Sequence, residues 1–541
     1  MSEKGRIRGR DNAGAAEVTA SARGARSDAD ILATAKGWGF LAGGRAFEFG
    51  SRFIIALLLA HILGVENYGL YVLSISAATL FAGIAYLGLD QAMVRYIAIL
   101  SSRKDNPGVR GTLQIGFGVS AVAGVAMGAI LYLGAAAFAE GLFDEPRLTQ
   151  LLHLLAVLVP FLVISNLLAS TARGFRRMDY SAFAENIVQS GVRVLMLGAF
   201  ALLGKLDVFV AVILFGVSDV AASITSIVLL NKLFPLRTVF ERGARRDVKP
   251  IVGFAFPLWL SGLLYQFRRN ILTITLGGLS SVASVSIFAV ASRVNDVGLT
   301  VLGSITIAVR PILAQLHDRR DRDGLAHLYT TATRWMFTFY VPFFLLMVLY
   351  PAALLSLFGE TFTRGAPALV IMAIAGLVNA ATGICQAMIE MTGRAKLKLA
   401  NSILWTATLV ASSALLIPVW GVLGAATALL ISTVAVNLAA VVEVWVLERL
   451  IPFERSIWKP LVVGVAAFLT GWVLRLLFPI ENDWGLAAMQ AGLILAVYGA
   501  GILGLGLAPE DRTVIERILR KVLPVLRRRQ PRSEPAGSRQ E

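Results

Sequence analysis

The sequence predicts an all-α integral membrane protein of about fourteen transmembrane helices. It places them in two six-helix lobes related by a pseudo-twofold axis along the membrane normal, with two further helices at the C-terminus. Three observations predict this: an excess of apolar residues, a charge that alternates from one connection to the next, and an internal repeat. Of 541 residues, 57% are hydrophobic and only 16% are charged, where a soluble chain carries about 25% charged residues. Mean hydropathy is +0.72. A water-soluble domain has no surface on which to hide so much apolar side chain. A soluble enzyme, a disulfide scaffold and a disordered chain are therefore excluded, and the chain reads as polytopic.

The first 36 residues are polar and rich in Gly, Ala, Ser and Arg. They are too long before the first apolar stretch for a signal peptide and read as a disordered cytoplasmic tail. Apolar segments bounded by Gly, Pro or charge then follow in order. They lie at 38–63, 70–100, 113–138, 148–170, 182–203, 208–230, 252–276, 282–309, 329–350, 368–390, 399–417, 423–447, 458–477 and 486–507. Nearly every one has the roughly 20 residues that a membrane helix needs. The expected organisation is a tail at 1–36, lobes at 37–235 and 236–452, a helix pair at 453–508 and a basic tail at 509–541.

The net charge of +16 would point to nucleic acid in a soluble protein. Its placement gives a different answer. With the N-terminal tail inside, the cytoplasmic connections and adjoining helix ends hold 39 Lys and Arg, and the outer connections hold four: Arg147, Lys205, Arg364 and Arg475. This is the positive-inside rule; it puts both termini in the cytoplasm, in a plasma (inner) membrane, and leaves no need for a nucleic-acid partner.

The chain also repeats itself. Ala92-Met93-Val94-Arg95-Tyr96 parallels Ile307-Ala308-Val309-Arg310-Pro311, and Thr171-Ala172-Arg173-Gly174 parallels Met391-Thr392-Gly393-Arg394. Leu230-Asn231-Lys232-Leu233-Phe234-Pro235 parallels Leu447-Glu448-Arg449-Leu450-Ile451-Pro452. Matched on Arg, Gly and Pro, the three pairs keep the same order and nearly one spacing along the chain. Six helices per repeat is an even number, so both halves insert with the same orientation.

Several motifs stand in order along these segments. Leu63-Gly64-Val65-Glu66-Asn67-Tyr68-Gly69-Leu70-Tyr71 joins the first two, and Gly88-Leu89-Asp90 precedes Arg95-Tyr96. Phe256-Pro257, Leu357-Phe358-Gly359, Met391-Thr392-Gly393-Arg394 with Asn401, Leu416-Ile417-Pro418 and Gly421-Val422-Leu423-Gly424-Ala425-Ala426 follow. With these motifs the chain resembles, over roughly 37–507, the polysaccharide transporters of the multidrug/oligosaccharidyl-lipid/polysaccharide exporter superfamily, the O-antigen-type lipid-linked oligosaccharide flippases. The resemblance implies an alternating-access exporter of a polyprenyl-(pyro)phosphate-linked oligosaccharide. It also implies partners in the lipid-linked glycan itself, in membrane lipids, and in glycosyltransferases or a polymerase of a polysaccharide pathway. Asn270 departs from the pattern, since related sequences often carry an Asp near the middle of that helix.

Each motif has a plainer reading beside it. Gly64 and Gly69 serve a tight reversal with Tyr68 at the membrane interface, and Gly124 and Gly128, spaced as GxxxG, let helices approach. Pro257 and Pro342 kink their helices.

Ionisable residues at depth are the best functional pointers, since each costs about 2.5–3.5 kcal/mol at mid-helix on insertion scales. Arg45, Glu48 and Arg52 share one helix face; so do Glu185, Gln189 and Arg193, with Glu185 near enough to the cytoplasmic end to reach water. Arg45 with Glu48 and Arg293 with Asp296 are spaced to pair, which would tie helices together. Arg334 reads as a boundary residue. Arg52, Arg193 and Arg268 show no obvious acid partner within one turn of their own helix. A guanidinium fork matches phosphate oxygens bidentately, so Arg45, Arg52, Arg193, Arg268, Arg269 and Arg293 are the candidates for holding the substrate pyrophosphate. Glu48, Asp90, Asp219 and Asp296 are the candidates for ion coupling.

No nucleotide-binding loop, zinc-ligand pattern or nucleophile elbow is present. His61, His153, His317 and His327 are scattered, and Cys385 is the lone cysteine. The sequence thus predicts no catalytic activity, cofactor or metal, and a monomeric transport unit. A multidrug/cation antiporter of the same superfamily and a non-transporting scaffold for glycan assembly remain as alternatives; a major-facilitator transporter is disfavoured by the helix number. In the C-tail, Val514, Ile515, Ile518, Leu519, Val522, Leu523 and Leu526 form an apolar stripe among arginines, the pattern of a helix on an anionic leaflet.

Overall fold

A computed structural model of the chain describes residues 47–241, 243–453, 457–478 and 484–505. The expected N-terminal tail, Arg45 and the expected C-terminal tail helix lie outside the described residues. Among those described, every regular element is helical. In chain order they are α1 (Phe47–Ala85), α2 (Leu89–Ser102), α3 (Asn106–Gly141), α4 (Arg147–Gly174), α5 (Met178–Ala182), a π-helical stretch (Phe183–Gln189), α6 (Ser190–Leu202) and α7 (Val208–Leu233). Then come α8 (Val248–Leu279), α9 (Val282–Asp318), α10 (Arg322–Leu349), α11 (Pro351–Ser356), α12 (Ala366–Thr382), α13 (Cys385–Met391), α14 (Ala395–Trp420), α15 (Val422–Glu448), α16 (Trp458–Leu477) and α17 (Trp484–Gly504).

Eleven helices among the described residues are long and apolar enough to cross a membrane, not the fourteen expected, and the chain is a multi-pass membrane protein. Three local causes account for the difference. The first expected segment and the start of the second fall in one helical run, α1. The segment expected at 182–203 is divided among α5, the π-helical stretch and α6. In α8 the apolar stretches Val248–Leu264 and Asn270–Leu279 stand either side of Arg268 and Arg269. A straight helix of α1's 39 residues would be about 58 Å long, twice the hydrocarbon thickness of about 30 Å. Gly64, at φ 70°, supplies a left-handed residue within that run, where the reversal was expected.

Capping side chains start several helices. Asp105 Oδ1 accepts from the Gly108 N–H at 3.0 Å, Asp207 Oδ1 from Val210 at 2.7 Å and Asp321 Oδ1 from Gly324 at 2.9 Å. Each satisfies an N–H that the helix itself cannot. Pro160, Pro257, Pro311, Pro342 and Pro418 all lie inside continuous helices, so the two expected prolines interrupt neither α8 nor α10.

The internal repeat is written in the backbone. Lys104 and Arg320 both have φ 56°, and each precedes the capping Asp of its helix. Arg176 (φ 60°) recurs as Gly393 (φ 79°), and Gly204 (φ 65°) as Gly421 (φ 52°), both at the spacing that relates Pro235 to Pro452. The sequence match of Gly174 with Gly393 is therefore slightly out of register: the left-handed residue, not the glycine, is the equivalent position.

The chain divides into two compact units. The first comprises Met1–Arg293, Leu355–Ala368 and Thr406–Ala428, and the second Val294–Leu354, Leu369–Trp405 and Leu429–Glu541. In the first, α3 and α4 meet at the GxxxG pair. A methyl group at Gly124 would stand 3.0 Å from Pro160 Cα, and one at Gly128 2.6 Å from the Ala156 carbonyl, so the glycines serve packing. A core of Met93, Ile97, Leu113, Leu167, Ile251 and Ala255 lies further along. In the second unit, Phe337, Val341, Leu345 and Leu349 of α10 pack with Val463, Ala467, Ile494 and Tyr498 of α16 and α17. Arg334 is only 6% exposed near the middle of α10.

Candidate functional site

The polar side chains of the first unit gather on α1, α6 and α7, with one contribution from α9. The π-helical stretch Phe183–Gln189 widens the helix just where Glu185 and Gln189 sit, and such bulges are frequent at functional sites. Gln189 Nε2 donates to Asp219 Oδ1 of α7 at 2.8 Å. Asp219 is 5% exposed, and Ser165 of α4 lies within reach of the same carboxyl group. One turn after Gln189, Arg193 Nε donates to Ser218 Oγ at 2.9 Å, and the guanidinium lies 4.4 Å from the centre of the Phe215 ring. Among the described residues no carboxylate lies within ion-pair distance of Arg193.

Arg193 is in electrostatic reach of both Asp219 and Tyr71. Tyr71 and Tyr68 are both in electrostatic reach of Arg293 as well. One guanidinium on α6 and one on α9 thus act electrostatically on a pair of α1 tyrosines that stack at 6.3 Å. Tyr68, expected at the membrane interface, is instead 3% exposed and packs edge-on against Phe362 at 6.4 Å. Nothing in the residue type distinguished the two placements; the rings packed against it do.

The remaining sequence candidates are dispersed. Arg52 is exposed and pairs with Glu48 at 2.5 Å. This corrects the expectation that Arg52 lacks an acid on its own helix: at i and i+4 the two are neighbours. Glu185, expected to reach for water, lies 3.7 Å from Arg173, the cation at the end of α4. Asp90 stands in the first turn of α2, half-buried, and accepts from Gln91. Asp296 belongs to the second unit and is half-buried. Arg268 and Arg269 lie on α8, but their side chains are outside the described residues. Asn270 Nδ2 donates to the Gln266 carbonyl of its own helix at 3.1 Å.

A second polar feature was not legible in the sequence. Between α1 and α2, Leu87 (φ 48°) and Gly88 (φ 70°) break the helix, and α8 fills the break. The indole of Trp259 donates to the freed Ile84 carbonyl at 2.9 Å, and a methyl at Gly88 would overlap the Ala255 carbonyl. Tyr96 donates to the Pro250 carbonyl at 2.8 Å, and Arg95 lies 4.3 Å from the Phe254 ring centre. These contacts hold the first half of α8 along α2. The motif Gly88-Leu89-Asp90 marked the place; the broken helix behind it left no pattern of its own. Among the described residues no group of His, Cys, Asp and Glu is arranged to hold a metal.

The fold and sequence match known proteins. Residues 34–317 match the family described as polysaccharide biosynthesis protein, and residues 257–416 match the MatE family. No curated protein matches the chain by sequence. Among solved structures, the chain is similar to a lipid II flippase MurJ in an inward closed conformation, with a TM-score of 0.67 at 11% identity over 85% of this chain and 97% of that one. It is similar to an inward-facing multidrug resistance MATE transporter, with a TM-score of 0.61 at 16% identity over 74% and 94%. A MOP superfamily transporter from Pyrococcus furiosus gives 0.54 at 17% identity over 76% and 93%. At such identities the likeness is one of fold. The match of over half the sequence goes further: the chain belongs to the family described as polysaccharide biosynthesis protein.

Proposed function

We propose that the protein is an alternating-access flippase that carries a polyprenyl-(pyro)phosphate-linked oligosaccharide from the cytoplasmic to the outer leaflet of the plasma membrane. The observation that carries this reading is the Arg193 guanidinium on α6, held by Ser218 Oγ at 2.9 Å and the Phe215 ring at 4.4 Å with no carboxylate in ion-pair distance among the described residues. A fixed cation within an apolar helix is costly, and a phosphate group returns charge-assisted hydrogen bonds to it. The family match supports the same reading, as does the fold shared with a structure described as a lipid II flippase. Arg268 and Arg269 remain part of the proposed phosphate path. Arg52 contributes less, because Glu48 already neutralises it. Asp219 is the leading coupling residue, with Asp90 and Asp296 behind it. The two six-helix lobes, with both termini in the cytoplasm, form the frame that would rock.

A cation antiporter is the second reading, favoured by the MatE match and by the buried Asp219 carboxylate. One experiment separates the two. Arg193→Glu and Arg293→Glu, made singly in cells that depend on this chain, should abolish surface glycan at unchanged membrane abundance. Cation-driven drug efflux should be unaffected or absent throughout. Normal glycan export in both variants would overturn the flippase reading.

A further inference from the structure

Arg193 is held by a hydroxyl and a ring, not by an acid. We infer that Ser218 is a positioning residue, whose hydroxyl oxygen takes the Nε–H edge of the Arg193 guanidinium and leaves the terminal amino pair as the edge that meets the substrate phosphate; this rests on the reading of Arg193 as a phosphate ligand.

One turn of α7 makes the holder. Ser218 Oγ donates its single hydrogen to the Phe215 carbonyl at 2.7 Å, the back-bond of a serine within a helix. Only lone pairs remain on that oxygen, and the Arg193 Nε–H donates to it at 2.9 Å. The Phe215 ring covers one face of the guanidinium, with its centre 4.4 Å away, an attraction between cation and ring quadrupole. Neither side chain has room to drift. Ser218 is wholly buried and Phe215 nearly so, and between them Gly216 lies against α4, where a methyl would stand 2.5 Å from Leu158 Cδ1. Asp219, the next residue, accepts through Oδ1 from the Gln189 amide at 2.8 Å and makes no ion pair with Arg193 among the described residues. One edge and one face of the guanidinium are thus occupied by uncharged groups. Its terminal nitrogens have no hydrogen-bond or ion-pair partner among the described residues.

The second repeat shows what the fold alone requires. At the spacing that relates Gly204 to Gly421, Arg193 corresponds to Val410 and Ser218 to Ala435. Cation and hydroxyl are present together in one repeat and absent together from the other. Alanine is also the better helix former, so the hydroxyl at 218 is explained by the arginine it meets. With Nε–H on a fixed acceptor, four of the five guanidinium donors remain. One N–H from each terminal nitrogen lies parallel to the other, the fork that takes two oxygens of one phosphate group. A fork held in place before the ligand arrives spares the side-chain ordering that binding otherwise costs, and this appears as affinity.

The test uses the full-length protein in detergent, with a fluorescent polyprenyl diphosphate as probe and inorganic pyrophosphate as competitor. Ser218→Ala removes the acceptor and installs the residue that the second repeat already carries. The Kd for the probe should rise about five- to tenfold, the loss of one hydrogen bond. The pyrophosphate Ki should rise by the same factor, with Tm unchanged or slightly raised. In an Arg193→Lys background, whose own Kd is raised, Ser218→Ala should add little, because lysine has no fork to orient. Unchanged Kd in Ser218→Ala beside a raised Kd in Arg193→Lys would overturn the positioning role and leave the phosphate reading standing. Full additivity of the two substitutions would overturn it as well, and so would a shift for the lipid probe with none for pyrophosphate. Arg193→Lys and Arg193→Gln both binding the probe as tightly as the wild type would bring down the phosphate reading itself, and the positioning role with it.

Discussion

α7 and α15 begin after the two left-handed glycines of the repeat, Gly204 and Gly421, and each carries a buried carboxylate or carboxamide in mid-span. In α7 it is Asp219 and in α15 it is Asn437, at nearly the same distance past the glycine. Their surroundings differ in kind. Asp219 meets a donor, the Gln189 amide, and stands in the field of Arg193. Asn437 meets an acceptor, donating Nδ2 to the Thr433 carbonyl at 2.9 Å, and its Oδ1 faces the buried Cys385 thiol at 3.9 Å. One repeat is built around an anion and the other around a neutral amide. Charge in a membrane helix is expensive, and duplication of the fold did not require duplicating it.

This comparison can be broken by exchanging the two residues. Asp219→Asn makes the first repeat resemble the second. With the charge gone, Arg193 loses its field and the proposed coupling site its proton or cation. Transport in proteoliposomes should fall more than tenfold, while Tm holds or rises. The reverse exchange, Asn437→Asp, sets a carboxylate against the Thr433 carbonyl with only the weak donor of the Cys385 thiol beside it. It should destabilise the fold by about 2.5–3.5 kcal/mol, read as a lower Tm and reduced membrane abundance. Equal transport by Asp219→Asn and wild type would mean that the asymmetry is ornamental.

A second pair sharpens the contrast. Gly88 and Gly303 are related by the same spacing as Arg95 and Arg310. Gly88 sits in the break between α1 and α2 with φ 70°, pressed against the Ala255 carbonyl. Gly303 lies within the unbroken α9, and a methyl there meets nothing within 4 Å among the described residues. Gly88→Ala should cost about 1–3 kcal/mol in backbone strain, with the overlap in addition. It should also loosen the Trp259 hydrogen bond to Ile84, read as faster labelling of a cysteine placed at Ala255. Gly303→Ala should be neutral, or stabilise by about 0.5–1 kcal/mol. Similar Tm values for the two variants would show that the break carries no strain.

How much of this was legible beforehand depends on the range of the interaction that decides it. Helix positions follow from apolar length, a local property, and each expected segment is chiefly helical where it is described. The GxxxG contact at Gly124 and Gly128 is local in the same sense. What the sequence hid is set by neighbours distant in the chain. Tyr68 is buried against Phe362, far along the chain, and nothing along α10 shows what covers Arg334. The π-helical stretch at Phe183–Gln189 turns on a hydrogen-bond shift that leaves no residue signature. Arg52 was misread for a smaller reason: Glu48 was assigned to Arg45, and its other neighbour one turn on was passed over.

The smallest expected effect concerns the one place where the repeats agree most closely, the capped turns at Asp105 and Asp321. Both aspartates accept from the N–H three residues on, through Oδ1. Asp105 alone also pairs with Arg245, a residue whose own N–H donates to the Pro107 carbonyl at 3.0 Å. The Gly108 N–H, and then the Arg245 guanidinium, hold the Asp105 carboxyl below the usual carboxylate range. A carboxyl with a depressed folded pKa stabilises above its unfolded pKa, and that contribution is lost as the pH falls through the folded value. Asp105→Asn keeps a capping acceptor but gives up the charge, whereas Asp321→Asn gives up a charge that has no ion pair among the described residues. Melting curves should therefore show a small Tm decrease for Asp105→Asn at neutral pH, absent for Asp321→Asn. The decrease should shrink in acid, as the wild-type carboxyl takes up its proton, and in high salt, which screens an exposed pair. A difference that persists unchanged in strong acid would assign the effect to the cap and not to Arg245, and the two turns would then be energetically as alike as their backbones.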